Sequence, residues 1–239
     1  MGVSVFITAT DTDAGKTFVT ASLARALAET ELKVCALKPV CCGRTAGQTN
    51  PDIKTLLHAQ GMPDTQTDTI NLYDFTEFAA PGQAAAKEGR RIEPEKLVQW
   101  CSARMQEYDI TLIEGVGGLM VPLAENFLVS DWLAAMPDCV VVLVVRTRLG
   151  GINHALLTLN QLHHMGREPA WVVLNDADGS GHAMLTRHAE AMSPFLPPHT
   201  QQLLLSHIPE VDYAPLQSLT TLVGNIQIRA RERYARSDC

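Results

Sequence analysis

The sequence predicts an α/β fold, a mostly parallel sheet with helices on both faces. Three observations carry that expectation. Short β-rich apolar runs alternate with longer stretches of helical period along the 239 residues, which is the signature of βαβ units. One run, Val140-Val141-Val142-Leu143-Val144-Val145, is apolar at every position, as a strand covered on both faces must be. The composition, 46% apolar and 19% charged, is that of a packed globule, and the length suits one domain over residues 1–239.

Along the chain, a first strand is expected at 4–9, where Val5-Phe6-Ile7 extends the apolar run from Val3. A helix near 16–29 follows a loop ending Gly15-Lys16-Thr17. The second strand, at 33–37, closes on Lys38-Pro39, and the proline biases Lys38 to extended geometry. The stretch 43–93 is the least regular and reads as an excursion from the sheet, with one helix near 52–59. A helix at 94–107 leads to a strand at 110–114 that ends in Glu114 and a glycine-rich turn. A helix near 129–136 and the apolar strand at 139–145 follow, then a helix at 152–165 introduced by Gly150-Gly151. A strand at 170–174, a helix at 181–192 and a strand at 202–206 complete the alternation. Beyond Pro209 only a basic terminal helix at 226–236 is legible. Ligands of such sheets bind at the carboxyl ends of the strands, so chemistry is expected at that edge.

The bulk properties narrow the function. A net charge of −7 with no basic run argues against a nucleic-acid partner. The apolar runs are too short for a membrane span. The chain enters a strand at once, with no basic n-region or cleavage site, so a cytoplasmic location is expected. Six cysteines are present, with no C-x-x-C spacing, and Cys35 and Cys139 sit in apolar runs, where cysteine is a small buried hydrophobe. A disulfide framework is therefore not expected. His163-His164 reads as the end of a helix rather than a metal site.

Three runs carry chemistry. The first, Thr8-Ala9-Thr10-Asp11-Thr12-Asp13-Ala14-Gly15-Lys16-Thr17, joins a strand to a helix. A phosphate loop needs a glycine for close approach, a lysine for the β/γ-phosphates and a hydroxyl for Mg²⁺, and Gly15, Lys16 and Thr17 supply them. The predicted fold is therefore P-loop NTPase-like, with ATP as ligand. The strict pattern would place glycine at position 10, where Thr10 stands. The second run, Ile110-Thr111-Leu112-Ile113-Glu114-Gly115-Val116-Gly117-Gly118, puts a carboxylate at a strand's end, suited to Mg²⁺ directly or through water. The third, Val34 to Val40, projects Lys38 from the same edge, where it can neutralise a transferring phosphoryl group.

In order and spacing these runs resemble dethiobiotin synthetase from about residue 4 to 210. The family's G-T-D-T-x-x-G-K-T stands as Ala9 to Thr17, its K-P-V as Lys38-Pro39-Val40, and its E-G-x-G-G as Glu114 to Gly118. Its L-G-x-I-N-H-x-L-L-T is Leu149 to Thr158, its adenine-side asparagine Asn175, and its late I-P Ile208-Pro209. The resemblance implies ATP-dependent closure of 7,8-diaminopelargonic acid and CO₂ to dethiobiotin, through a carbamate and its phosphoric anhydride. It implies Lys16 and Lys38 as catalytic, and Mg²⁺ held by Thr17, Glu114 and Asp52. ATP would be bound by Asp13, Ala14, Gly15, Lys16, Thr17, Asp52, Glu114, Gly115, Val116, Gly117, Asn175, Ile208 and Pro209. The diamine would be met by Thr12, Lys38, Cys42 and Gly118. Gly150, Gly151, Ile152 and Asn153 would bind its carboxylate from the neighbouring subunit of a homodimer with a shared active site. In the last role, free N–H groups and the dipole at a helix start suit an anion.

The chain departs from the family pattern at Ala9 (glycine), Cys42 (serine or threonine), Ala80-Pro81-Gly82 (S-P-H) and Ala191 (tyrosine). Alanine is tolerable at position 9 only where φ is negative. Two other readings stay open here: a cobyrinate-type amidation enzyme, and a partition-type ATPase switch. Such switches carry an early second lysine, where this chain has Thr10-Asp11-Thr12, and a terminal amphipathic helix, faintly echoed by Arg229, Arg231, Arg233 and Arg236.

Overall fold

The computed structural model describes residues 2–207 and 219–237. In chain order the elements are β1 (Val3–Ala9), α1 (Lys16–Ala28), β2 (Val34–Leu37), β3 (Val40–Cys41), α2 (Pro51–Ala59), α3 (Thr67–Ile70), β4 (Tyr73–Asp74) and α4 (Pro81–Lys87). Then come α5 (Pro94–Glu107), β5 (Ile110–Glu114), β6 (Pro122–Ala124), β7 (Phe127–Leu128), α6 (Val129–Ala134) and β8 (Val140–Arg146). The last are α7 (Gly151–His164), β9 (Trp171–Asn175), α8 (His182–Met192), β10 (Gln201–Leu205) and α9 (Thr220–Ser237).

Among the described residues the main sheet has six parallel strands in the order β10-β9-β8-β1-β5-β2. Every residue of β1 and β5 is buried, which two-sided helical cover requires. On one side of β1, Phe6 meets Trp132 of α6 edge to face at 4.9 Å. The terminal helix α9 packs on α1 and β1, and its Arg229 guanidinium lies over the Trp171 ring.

Each strand expected from sequence is present, within a residue or two at its ends. The expected 129–136 helix stops at Ala134, and the 226–236 segment belongs to a helix that begins at Thr220. The stretch 43–93 is less irregular than its sequence suggests. It holds α2, α3, β4 and α4, with the two-residue β3 pairing in parallel with β4. Apart from α2, expected near 52–59, these elements have two to seven residues, too few periods for a pattern to register. His163 and His164 close α7 as expected. Cys35, Cys41, Cys42 and Cys101 are free thiols, and Cys35, Cys41, Cys101 and Cys139 are buried.

The sheet puts the chemistry at one edge. β1 lies between β5 and β8, so the loop after β1 leaves the sheet where chain connections diverge to opposite sides, the crevice such folds use for ligands.

Candidate active site

The loop between β1 and α1 has a backbone only certain residues can take. Gly15 caps α1 at φ 96°, in the left-handed region, and Asp13 also has positive φ, 56°. A side chain at position 15 meets a second obstacle, because a Cβ there would come 2.1 Å from Asn175 Nδ2. Asn175, the last residue of β9, donates to the Ala14 carbonyl at 2.9 Å and so braces the loop from behind. Ala9, where the family has glycine, is the buried final residue of β1, so its extended backbone accommodates alanine.

Lys16 turns back over the loop. Its Nζ donates to the Gly117 carbonyl at 2.7 Å and more weakly to that of Asp11. Burial, and then the neighbouring Lys38 ammonium, lower its pKa to about 8. Gly117, at φ 59°, allows the turn after β5 to present its carbonyl to Lys16.

Behind Lys16 lies a buried charge cluster. Glu114 has no exposed surface. Its Oε1 accepts from Thr17 Oγ1 at 2.7 Å and from Lys38 Nζ, while its Oε2 has no hydrogen-bond partner. Lys38 Nζ also lies 3.1 Å from Asp52 Oδ2. Burial disfavours the Lys38 ammonium, but Glu114 and Asp52 outweigh it and hold its pKa above the usual lysine range. Burial likewise opposes the Asp52 carboxylate, and Lys38 overcomes it, so that carboxyl is held below its ordinary range. Asn50 caps α2 by accepting the Asp52 N–H at 3.0 Å, and its side-chain amide donates to the Cys42 carbonyl. The sequence reasoning missed Asn50, although Asn-Pro-Asp, a capping residue before proline at the first helical position, signals it.

These groups line a cleft of about 720 Å³. It brings together Thr12, Asp13, Gly15, Lys16, Thr17, Lys38, Cys42, Asp52, Glu114, Val116 and Gly117 of the expected site. Burial, then the nearby Asp74 carboxylate, push the Cys42 thiol up to about 11, so it lines the cleft as a neutral thiol. Ala80 and Pro81 are at the same rim, whereas Gly82 faces the Leu123 carbonyl, 3.2 Å from where a Cβ would stand. Phe78, which sequence reasoning also missed, stands 84% exposed at the mouth. Its ring covers Gly43 so closely that a Cβ there would be 2.4 Å away.

Other expected residues lie outside the cleft wall. Ala14 and Asn175 are behind the loop, Gly115 closes β5 beside the Ile7 carbonyl, and Gly118 packs under Thr10. Gly150, Gly151, Ile152 and Asn153 open α7 and do not line this chain's cleft. Ile208 and Pro209 lie outside the described residues. Ala191 is exposed on α8. A further unforeseen contact is the Arg148–Asp11 ion pair, 2.7 Å, which ties the turn before α7 to the phosphate loop.

A left-handed glycine capping the helix after a central parallel strand, with a lysine and a hydroxyl at its head, defines a P-loop NTPase. Solved structures of that class share the fold. They include the septum site-determining protein MinD with Mg-ADP from Pyrococcus horikoshii (TM-score 0.55, 17% identity, 97% of this chain and 96% of that one). MinD from Aquifex aeolicus gives TM-score 0.54 and 19% identity, with 98% of each chain covered. An AAA domain family model matches residues 3–215. ATP-dependent dethiobiotin synthetase BioD 1 of Escherichia coli (strain K12) is 36% identical over 198 residues, 81% of this chain and 84% of that protein. The BioD of Acidiphilium cryptum is 40% identical over 175 residues, 71% and 78% of the two chains. The chain belongs to the ATP-dependent dethiobiotin synthetase family.

Proposed function

We propose that this enzyme converts 7,8-diaminopelargonic acid, CO₂ and ATP to dethiobiotin, ADP and phosphate. The observation that carries the reading, beside the family membership, is the buried Lys38–Glu114–Asp52 cluster next to a phosphate-loop lysine. One amine of the substrate takes up CO₂ and loses a proton to give a carbamate. A carbamate oxygen attacks the γ-phosphorus and ADP leaves. The second amine then attacks the carbamoyl carbon, phosphate departs, and the ureido ring closes. Lys16 exchanges the Gly117 carbonyl for the β/γ-phosphates, and Lys38, held protonated by its two carboxylates, faces the transferring group from the other side. Thr12, Cys42 and Gly118 are read as diamine contacts, and the other phosphate-loop residues with Val116 and Asn175 as nucleotide contacts.

A divalent cation suits the residues present. A buried carboxylate oxygen without a donor is costly, and Glu114 Oε2 is one. Thr17 Oγ1 and the Asp52 carboxylate, each bonded to or bridged with the same cluster, complete a hard oxygen set suited to Mg²⁺. When bound, Mg²⁺ neutralises charge on the β- and γ-phosphates.

The reading includes a homodimer with shared sites. Its support is that the start of α7 does not line this chain's cleft while Leu149 and Leu157 expose apolar side chains before and on that helix. We read residues 1–239 as one domain, in the cytoplasm, without nucleic-acid or membrane partners. Among the described residues no helix is long and apolar enough to cross a membrane. The amidation and switch alternatives are not favoured by the relatives, and the likeness to partition-type ATPases concerns the fold alone. The test is incubation with the diamine, bicarbonate, Mg²⁺ and ATP, with mass detection of dethiobiotin. ADP formation independent of the diamine, without dethiobiotin, would overturn the reading.

A further inference from the structure

His188 is buried in α8, away from the phosphoryl chemistry. Both its ring nitrogens face carbonyl oxygens: Nδ1 lies 3.0 Å from that of Met184, and Nε2 lies 3.1 Å from that of Arg148. A carbonyl only accepts, so each contact calls for a ring N–H, and a neutral ring carries one, on Nδ1 or on Nε2 according to its tautomer. The same Arg148 oxygen accepts the Gly151 N–H at 2.8 Å. One carbonyl therefore joins α8 to the turn that starts α7. The packing there is tight, since a Cβ on Gly151 would stand 2.6 Å from the Arg146 carbonyl and 3.4 Å from His188 Nε2. The Arg148 side chain leaves this turn in the other direction, to Asp11. The turn is thus pinned from α8 by His188 and from the phosphate loop by the ion pair.

We propose that His188 is a positioning residue for the substrate carboxylate. Its Nε2–H holds the Arg148 carbonyl and so fixes the turn from which the first-turn N–H groups of Ile152 and Asn153 project. Gly150 gives that helix start no side-chain cap, so no capping side chain competes with an anion for the N–H groups beyond Gly151. The inference rests on the reading that the start of α7 receives the carboxylate.

The test compares His188→Leu, His188→Gln and Asn153→Asp in steady-state kinetics. Expected for His188→Leu is a KM for the diamine raised about ten-fold or more, the effect of losing a buried hydrogen bond. The KM for ATP and the kcat stay within about two-fold, and His188→Gln, which keeps a donor, recovers most of the loss. A diamine KM unchanged by His188→Leu, while Asn153→Asp raises it, overturns the inference and leaves the site reading standing. Both unchanged removes the site reading and the inference with it. A KM for ATP that rises in step with that for the diamine marks a merely structural role and also overturns it. Should His188→Leu fail to fold, ¹⁵N-histidine NMR of the wild-type chain decides. A proton on His188 Nε2 that exchanges slowly supports the inference, and a bare Nε2 overturns it.

Discussion

Lys16 carries the sharpest residue-scale consequence. Its folded pKa of about 8 lies below the ordinary 10.5 because burial and Lys38 disfavour its charge. Between those values the unfolded chain binds more protons, so this group makes stability rise with pH across that window. Anionic phosphates favour the ammonium. ATP binding is therefore expected to take up a proton above pH ~8, and affinity to fall as pH rises through it. Calorimetry in buffers of different ionisation enthalpy measures the uptake; none at pH 8.5 would remove Lys16 from the phosphates. Lys16→Ala should leave the circular dichroism unchanged and lower turnover by about 10²-fold or more. Glu114→Gln leaves the buried Lys38 ammonium with Asp52 as its remaining carboxylate. It is expected to cost about 3 kcal/mol of stability in denaturant titration and to raise the Mg²⁺ requirement.

At the scale of elements, the phosphate loop and β9 act as one unit through Gly15 and Asn175. Gly15→Ala is expected to cost about 1–3 kcal/mol from its positive φ, plus the clash with Asn175. Adding Asn175→Ala relieves the clash alone, so a double-mutant cycle should show coupling; strict additivity would separate the two elements. How much of this is legible in the sequence follows from range. Gly15-Lys16-Thr17 announces itself because one turn holds the whole device, and Glu114 because a buried strand ending in an acid is locally odd. The Arg148–Asp11 pair joins residues 137 apart, and no local pattern encodes it. The bond from Lys38 to Glu114 is similarly non-local, spanning 76 residues. The two lysines and the acid were therefore readable as members of a site, but not the ion pairing that sets their charge. The short elements of 43–93 and the exposed Phe78 escaped because neither period nor residue type marks them.

For the whole molecule, the absence of the α7 start from this chain's cleft lining gives a mixing test. Lys38→Ala damages the chemical half of a site and Asn153→Asp repels the carboxylate at the other half. In a mixed two-fold dimer with shared sites, one site carries both lesions and the other none. Random equal mixing should then restore about a quarter of normal activity. With mixed dimers shown to form and each variant inactive alone, no recovery would place the whole site within one chain.

Phe78, standing 84% exposed at the cleft mouth, bears on stoichiometry. An acyl phosphate formed inside faces two nucleophiles, the tethered amine and water. Hydrolysis consumes a triphosphate and yields no ring, so fidelity is the ratio of phosphate released to dethiobiotin made. That ratio is one only while water is kept out, and the Phe78 ring is a large apolar group at that mouth. Phe78→Ala should lift the ratio above one with ATP affinity unchanged, a leak visible only when both products are counted in the same tube.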